Sequence, residues 1–309
     1  MPPRREPEAL VIGEALVDVV HDGAGRVTER PGGSPANVAV GLARLGRPTA
    51  LLTDLGEDAY GDRLVAHLES EGVHLLAGRR PGRRTSSATA RIGSDGSASY
   101  VFDLSWDPPA PVSAGAPRVV HTGSLGAVLE PGAATVLALL DRLRPTATVS
   151  YDLNVRLAAM GTREEVRRRV EAVTARADVV KASDEDLESL FPGQDLVSSA
   201  RFLLDLGPAA VIVTCGGEGA RCLTGSDETS VPAVRATVAD TIGAGDSFCG
   251  GVIDRLWELD LLGAGARERL RGLDAATWQD VLAHAAAVAA VTVSRPGADP
   301  PTRAELAHR

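Results

Sequence analysis

The chain has 309 residues, 44% of them hydrophobic and 24% charged, with a formal net charge of -9. That is the composition of a globular protein large enough for one sizeable core, and its acidic balance excludes nucleic acid and anionic membrane as partners, because both recruit clustered Lys and Arg. Three scattered cysteines (Cys215, Cys222, Cys249) and six histidines without HxxxH or HxH spacing exclude a disulfide framework and a zinc centre.

The first apolar run, Ala9–Val20, reads as a strand that Glu14 and Asp18 interrupt. With the charged, proline-rich residues before it, the run does not read as a signal peptide, and a cytoplasmic protein is expected. In "PGGSPANVAVGLARLG", residues 31–46, Ser34 is suited to be a helix N-cap, Pro35 to be the first helical residue and Gly46 to be the stop. Those are structural signals. The Gly32-Gly33 pair and the polar Asn37 are less easily explained that way: glycines let a ligand approach the backbone, and Asn offers a donor and an acceptor to a polyol.

Residues 83–102, "RRTSSATARIGSDGSASYVF", hold two alternating segments around Gly93-Ser94-Asp95-Gly96, a hairpin signature. Such an insertion is either an edge addition to the main sheet or a flap over a site. Beyond it, strand-like runs at Val119–Thr122, Thr148–Leu153, Asp178–Lys181 and Ala209–Cys215 alternate with helical periods at Pro131–Leu143, Thr162–Ala175 and Ser198–Leu206. The alternation predicts an α/β fold, a mostly parallel sheet flanked by helices, as one domain with a small β insertion. Arginines cluster at Arg79–Arg84 and Arg163–Arg169; the second set is interleaved with Glu along a helix and reads as a solvated face. The last helices are expected over Ser247–Leu259 and Thr277–Val293, and the apolar Val281–Val293 is too short to span a bilayer.

The chemistry concentrates in "DTIGAGDSFCGG", residues 240–251. Gly243, Ala244 and Gly245 allow a tight turn with uncovered N–H groups at the start of a helix, which is an anion site. An acid in that turn, Asp246, is costly beside an anion unless it takes a proton from a hydroxyl that attacks a phosphoryl group. The structural alternative is a Gly-rich turn with Asp246 or Ser247 as N-cap. No Walker A string and no strand–GxGxxG–helix fingerprint is present.

In this order and separation, the segments 31–46 and 240–251 resemble the two signatures of the ribokinase-like (PfkB) family of carbohydrate kinases. The resemblance covers essentially the whole chain, and "GEALVDVV", "HTGSLGAVLEPG", "YDLNVR", "KASDEDLESLFPG", "VTCGGEGA" and "RPGADPPT" are similar to its fructokinase branch. It implies a single ribokinase-like domain over residues 1–309, with β-lid segments within 14–34 and 83–108. The implied activity is ATP-dependent transfer of the γ-phosphoryl group to a primary hydroxyl of a monosaccharide, D-fructose first. Ribokinase or 2-keto-3-deoxygluconate kinase is the alternative in the same class, and a non-catalytic sugar- or nucleotide-binding regulator the alternative of another class.

The resemblance also implies residue roles. Asp246 is the base; the amides of Gly243, Ala244 and Gly245 hold the developing charge; Arg156 is the cation near the transferred phosphate, or else a structural partner of Asp152. Asp18, Gly32, Gly33, Asn37 and Asn154 surround the sugar, and Tyr100 or Phe102 reaches it from the lid. Lys181, Ser183, Thr214, Gly216, Gly219 and His284 lie along ATP, His284 where relatives often carry Asn beside adenine. Ser183 and Asp186 stand where the family commonly shows N-x-x-E, which implies a water-mediated role for Asp186 at Mg2+. Backbone near Asp240, Arg295 and Gly297 resembles a monovalent-cation site of some relatives, implying K+. A homodimer through the lid strands is implied by analogy, since edge strands invite pairing.

Overall fold

Short runs of Val, Ile, Leu and Ala with both faces buried build the centre of the molecule, as expected for parallel strands covered by helices on each side. The computed structural model describes residues 7–21, 26–92, 98–109 and 115–307; the hairpin turn expected at residues 93–96 lies outside them. The strands are β1 (Ala9–Ile12), β2 (Leu16–His21), β3 (Val27–Gly32), β4 (Thr49–Leu52), β5 (His74–Leu75), β6 (Ser87–Ile92), β7 (Ala98–Asp103), β8 (Val119–Gly123), β9 (Thr148–Asp152), β10 (Val179–Ser183), β11 (Ala210–Thr214), β12 (Ala220–Thr224) and β13 (Glu228–Val231). Nine of them form the main sheet in the order β13-β12-β11-β10-β9-β8-β1-β4-β5. Its strands are parallel from β5 to β11, and β12 and β13 complete the edge as antiparallel additions.

Side-chain alternation along these strands divides the core in two. Val11, Val119, Val179 and Ile212 pack with helices Ser34–Arg44, Ala244–Glu258 and Ala275–Thr292. Leu10, Val120, Val149 and Val211 face helices Gly132–Leu143, Arg163–Thr174 and Leu196–Leu204 on the other side. Helix boundaries fall within three residues of the expected ones. Local capping explains the starts: Thr162 and Glu165 form a capping box, and Asp195 and Asp274 accept from the third residue on.

The remaining strands make a second, four-stranded sheet in the order β3-β2-β6-β7. The inserted hairpin therefore does not extend the main sheet; it pairs with β2 through a parallel β2–β6 contact. The expected single strand Ala9–Val20 is two strands in two sheets. The break falls at Gly13–Ala15, where the Ala15 amide donates to Thr53 Oγ1 at 3.1 Å instead of continuing the ladder. No described helix is long and apolar enough to cross a membrane.

Candidate active site

The C-terminal ends of the parallel strands, where open α/β sheets hold ligands, meet the start of helix Ala244–Glu258. Gly243 precedes that helix with φ 75° and ψ 2°, a left-handed conformation that favours glycine. The amides of Gly243 and Gly245 have no acceptor among the described residues, whereas that of Ala244 donates to Thr241 O at 3.2 Å. The turn thus offers two free donors rather than the three expected, together with the positive end of a fifteen-residue helix.

Asp246 lies in the first turn, 9% exposed, and caps nothing. Its Oδ1 accepts from Ser34 Oγ at 2.7 Å and its Oδ2 from Asn37 Nδ2 at 2.8 Å. Ser247 is no cap either, since its hydroxyl accepts from Thr292 Oγ1 at 2.8 Å. Ser34 departs from its expected role: the N-cap of helix Ser34–Arg44 is Gly33, at φ 102°, which frees the serine hydroxyl to orient Asp246. A Cβ on Gly33 would stand 2.6 Å from Glu14 O, so the first glycine-led turn is fitted against the β1–β2 joint.

Asp18 and Glu14 are among the carboxylates that feel the charge of Asp246. Asp18, on β2, has its carboxyl pushed up to about 6 by burial and then by Asp246. Its Oδ2 lies 2.1 Å from the place a Cβ would take on Gly32, so only glycine leaves that carboxylate its position. Glu14 is pushed up to about 7 by burial, against the pull of the Gly126 amide, which donates to its Oε2 at 2.7 Å. Next to it, Asn154 Nδ2 donates to Ser124 Oγ at 3.0 Å, and both residues have left-handed backbone, φ 39° and 54°. Strain of that kind concentrates at functional sites.

Behind the Gly243–Gly245 turn, Lys181 Nζ lies 3.1 Å from the Cβ position of Gly245. It is buried and bonded to both oxygens of Asp152, at 3.0 and 2.9 Å. Burial alone would lower the ammonium; Asp152 outweighs it and holds Lys181 above its usual range. Cys249 Sγ completes the group, 3.4 Å from Asp152 Oδ2. The structural partner of Asp152 is therefore Lys181 and not Arg156, whose exposed side chain turns back to Val155 O at 2.7 Å.

The other expected residues are placed as follows. Ser183 caps helix Asp184–Leu190, with Asp186 closing a capping box. Asp186 also accepts from the Val155 amide, so each of its oxygens holds one backbone donor and keeps a lone pair for a bound water. Thr214 ends β11, its hydroxyl 3.4 Å from Ala182 O, and Gly216 and Gly219 bound the turn that follows. A cavity of about 590 Å³ opens beside that turn, lined among others by Asp184, Cys215, Gly217 and Arg221, and by none of the residues around Asp246. Phe102 is half-buried on β7; for Tyr100 the structure gives the pairing with Ala90.

His284 stands apart from this group. Its Nε2 is 2.9 Å from Asp254 Oδ2, two helical turns beyond Asp246, and Asp254 also binds Arg47 at 2.7 Å and Arg303. Its Nε2 is thus engaged by a carboxylate that two arginines also hold, at the position where the resemblance implied a neighbour of adenine. Asp254, Glu258 and His284 offer three ligand atoms close together, but Arg303 and Arg47 each pair with both acids, which makes the cluster a charge-compensated brace. At the expected monovalent-cation site, Asp240 is committed to the amides of Ile242 (3.0 Å) and Gly297 (2.8 Å), and Arg295 to Asp299 and Glu305. Sequence reading missed Glu14 and Cys249 as neighbours of the site; Glu14 had a visible signal, an acid within an apolar strand.

A doubly covered parallel sheet, an amide-lined turn at a helix start and a hydrogen-bonded acid in that turn define a phosphotransferase with an alcohol acceptor. The chain belongs to the pfkB family of carbohydrate kinases, which it matches over residues 7–305, and it is an ATP-dependent carbohydrate kinase. A fructokinase from Klebsiella pneumoniae is 33% identical over 254 residues, covering 79% of this chain and 82% of that one. The structure of fructokinase with bound ATP from Xylella fastidiosa superposes with a TM-score of 0.84 at 28% identity, covering 97% of each chain. A fructokinase double mutant from Vibrio cholerae O395, in fructose-, ADP- and potassium-bound form, gives a TM-score of 0.80 at 26% identity over 99% of each chain.

Proposed function

We propose that this kinase phosphorylates D-fructose on a primary hydroxyl, yielding fructose 6-phosphate and ADP. The observation that carries the reading is Asp246, oriented by Ser34 and Asn37, placed one residue from the free amide of Gly245. In the reaction the acceptor hydroxyl gives its proton to the Asp246 carboxylate as its oxygen forms the new bond to the γ-phosphorus. The bond from that phosphorus to the β-phosphate bridging oxygen breaks, and its electrons leave with ADP. Amides at Gly243 and Gly245, with the Lys181 ammonium behind them, stabilise the charge on the migrating group. Asp18 and Asn37 hold other hydroxyls of the sugar, and the small sheet acts as a lid above them. Magnesium carried by the nucleotide would neutralise phosphate charge, held through water at Asp186.

Fructose comes first because curated fructokinases near 30% identity cover most of the chain. Pairing of two chains through the lid is part of the same proposal, supported by Val27 on β3 and Val101 on β7, both half-exposed on edge strands. A coupled ADP-release assay with fructose, ribose and 2-keto-3-deoxygluconate tests the substrate: the highest kcat/KM is expected for fructose, and a higher value for either rival overturns the assignment.

A further inference from the structure

One register row runs across the small sheet through Arg30, Asp18, Ala88 and Phe102. Side chains opposite each other on neighbouring strands share a face, so Arg30 stands directly beside the acid assigned to the sugar. Arg30 also touches the main body. Its Nη1 comes within 3.1 Å of the place a Cβ would occupy on Gly297. The Gly297 amide donates to Asp240 Oδ2 and the Ile242 amide to Asp240 Oδ1. Both Ala239 and Asp240 bond Val293 O, at 2.8 and 3.2 Å. The stretch 239–242 is thereby zipped to residues 293–297, and it runs without a break into the phosphate turn at Gly243. Amides of Ile242 and Gly297, and then the charge of Arg30, hold the Asp240 carboxyl below its usual range.

We propose that Arg30 is a positioning residue that couples the two halves of the site. Its strand is paired with the sugar-bearing strand β2, and its guanidinium rests on the loop that shapes the phosphate turn. A sugar that fixes Asp18 fixes Arg30 with it, and the cation then steadies Asp240 and the amides that Asp240 holds. Sugar and nucleotide consequently bind with positive cooperativity, each tightening the other by the same factor. The inference rests on the assignment of sugar to Asp18 and nucleotide phosphate to the Gly243–Gly245 turn. Arg30 is exposed and has no share in the core, so its replacement leaves the fold intact.

Calorimetric titration of ADP with and without saturating fructose, and of fructose with and without ADP, measures the coupling directly. For the wild type a tightening of about fivefold or more is expected in both directions. Arg30→Ala should bind each ligand alone within about twofold of wild type and lose the tightening, and Arg30→Lys, which keeps the charge, should restore part of it. Coupling that survives in Arg30→Ala, or a wild type whose ligands ignore each other, overturns the inference. If the wild type binds no fructose, the sugar assignment fails instead; the same cycle run with the sugar chosen by the kinase assay then decides on Arg30 by the same two outcomes.

Discussion

Ser34 donates to Asp246 across 212 residues of sequence, hydroxyl to carboxylate at 2.7 Å. With Asn37 on the second oxygen, this bond aims the acid and keeps it from capping its own helix. Asp246→Asn should leave ATP and fructose binding nearly unchanged while kcat falls about 10²- to 10⁴-fold, the usual size of a lost general base. Ser34→Ala, which loses aim but keeps the base, should lower kcat by about tenfold, in line with a hydrogen bond to a charged group. Steady-state kinetics with ligand titrations separate these effects; Asp246→Asn within about tenfold of wild-type kcat would refute the base role.

Asp18 should give the acid limb of the pH profile. In the proposed site its ionised form accepts sugar hydroxyls, and its carboxyl is pushed up to about 6. The value of kcat/KM for fructose is therefore expected to fall as pH drops through about 6, by tenfold per unit below it. Asp18→Asn should flatten that limb and reduce kcat/KM at neutral pH by about 10- to 100-fold. A limb that persists in the variant assigns it to another group.

Gly32→Ala is predicted to separate binding from folding. The added methyl would meet the end of the Asp18 side chain, which can swing away, and the residue has no left-handed backbone to strain. KM for fructose should rise about tenfold or more, with Tm within a few degrees of wild type. Thermal melts beside the kinetics check this, and an unchanged KM would move the sugar away from Asp18.

Removing the Lys181 ammonium leaves Asp152 buried without its counter-charge, and Lys181→Met should cost about 3–5 kcal/mol of stability. Lys181→Met combined with Asp152→Asn should regain most of that loss but not ATP turnover, because the positive charge behind Gly245 is still missing. Denaturant unfolding of both variants with parallel assays distinguishes a structural pair from one that also serves the phosphate.

Glu14 predicts a pH-dependent stability. Its folded carboxyl, at about 7, lies above the ordinary 4.5, so between those values the folded state binds more protons than the unfolded state. Stability contributed by the protonated form is complete below about 4.5 and is lost as pH rises through about 7. Glu14→Gln, whose amide oxygen still accepts from Gly126, should reduce that slope and raise stability at pH 8 by on the order of 1–3 kcal/mol. Unfolding curves at pH 5 and pH 8 test it.

The parallel sheet, its helices and the Gly-Ala-Gly-Asp turn were legible because each rests on local signals: apolar runs of strand length, caps, and glycines before an amphipathic helix. The hairpin's destination was not, since alternation marks a strand but not the sheet that accepts it. Nor did periodicity show the split in Ala9–Val20, where Glu14 alone interrupts the apolar residues at the point at which the backbone leaves one ladder for another. Ser34 misled for a different reason. Its position suits a cap, and the competitor for its hydroxyl lies more than two hundred residues away. Arg156 was the one partner expected for Asp152, and only burial shows Lys181 behind the turn in that place and the arginine outside.

The division of the first apolar run at Gly13–Ala15 has a consequence for how this fold diversifies. On the proposed assignment the acceptor side of the reaction stands largely on one small sheet and the donor side on the large one, joined at tightly packed residues. Changing the face of the small sheet would exchange one alcohol for another while the phosphate machinery stays as it is, so a transplant of strands from a kinase with a different preference should carry that preference with it.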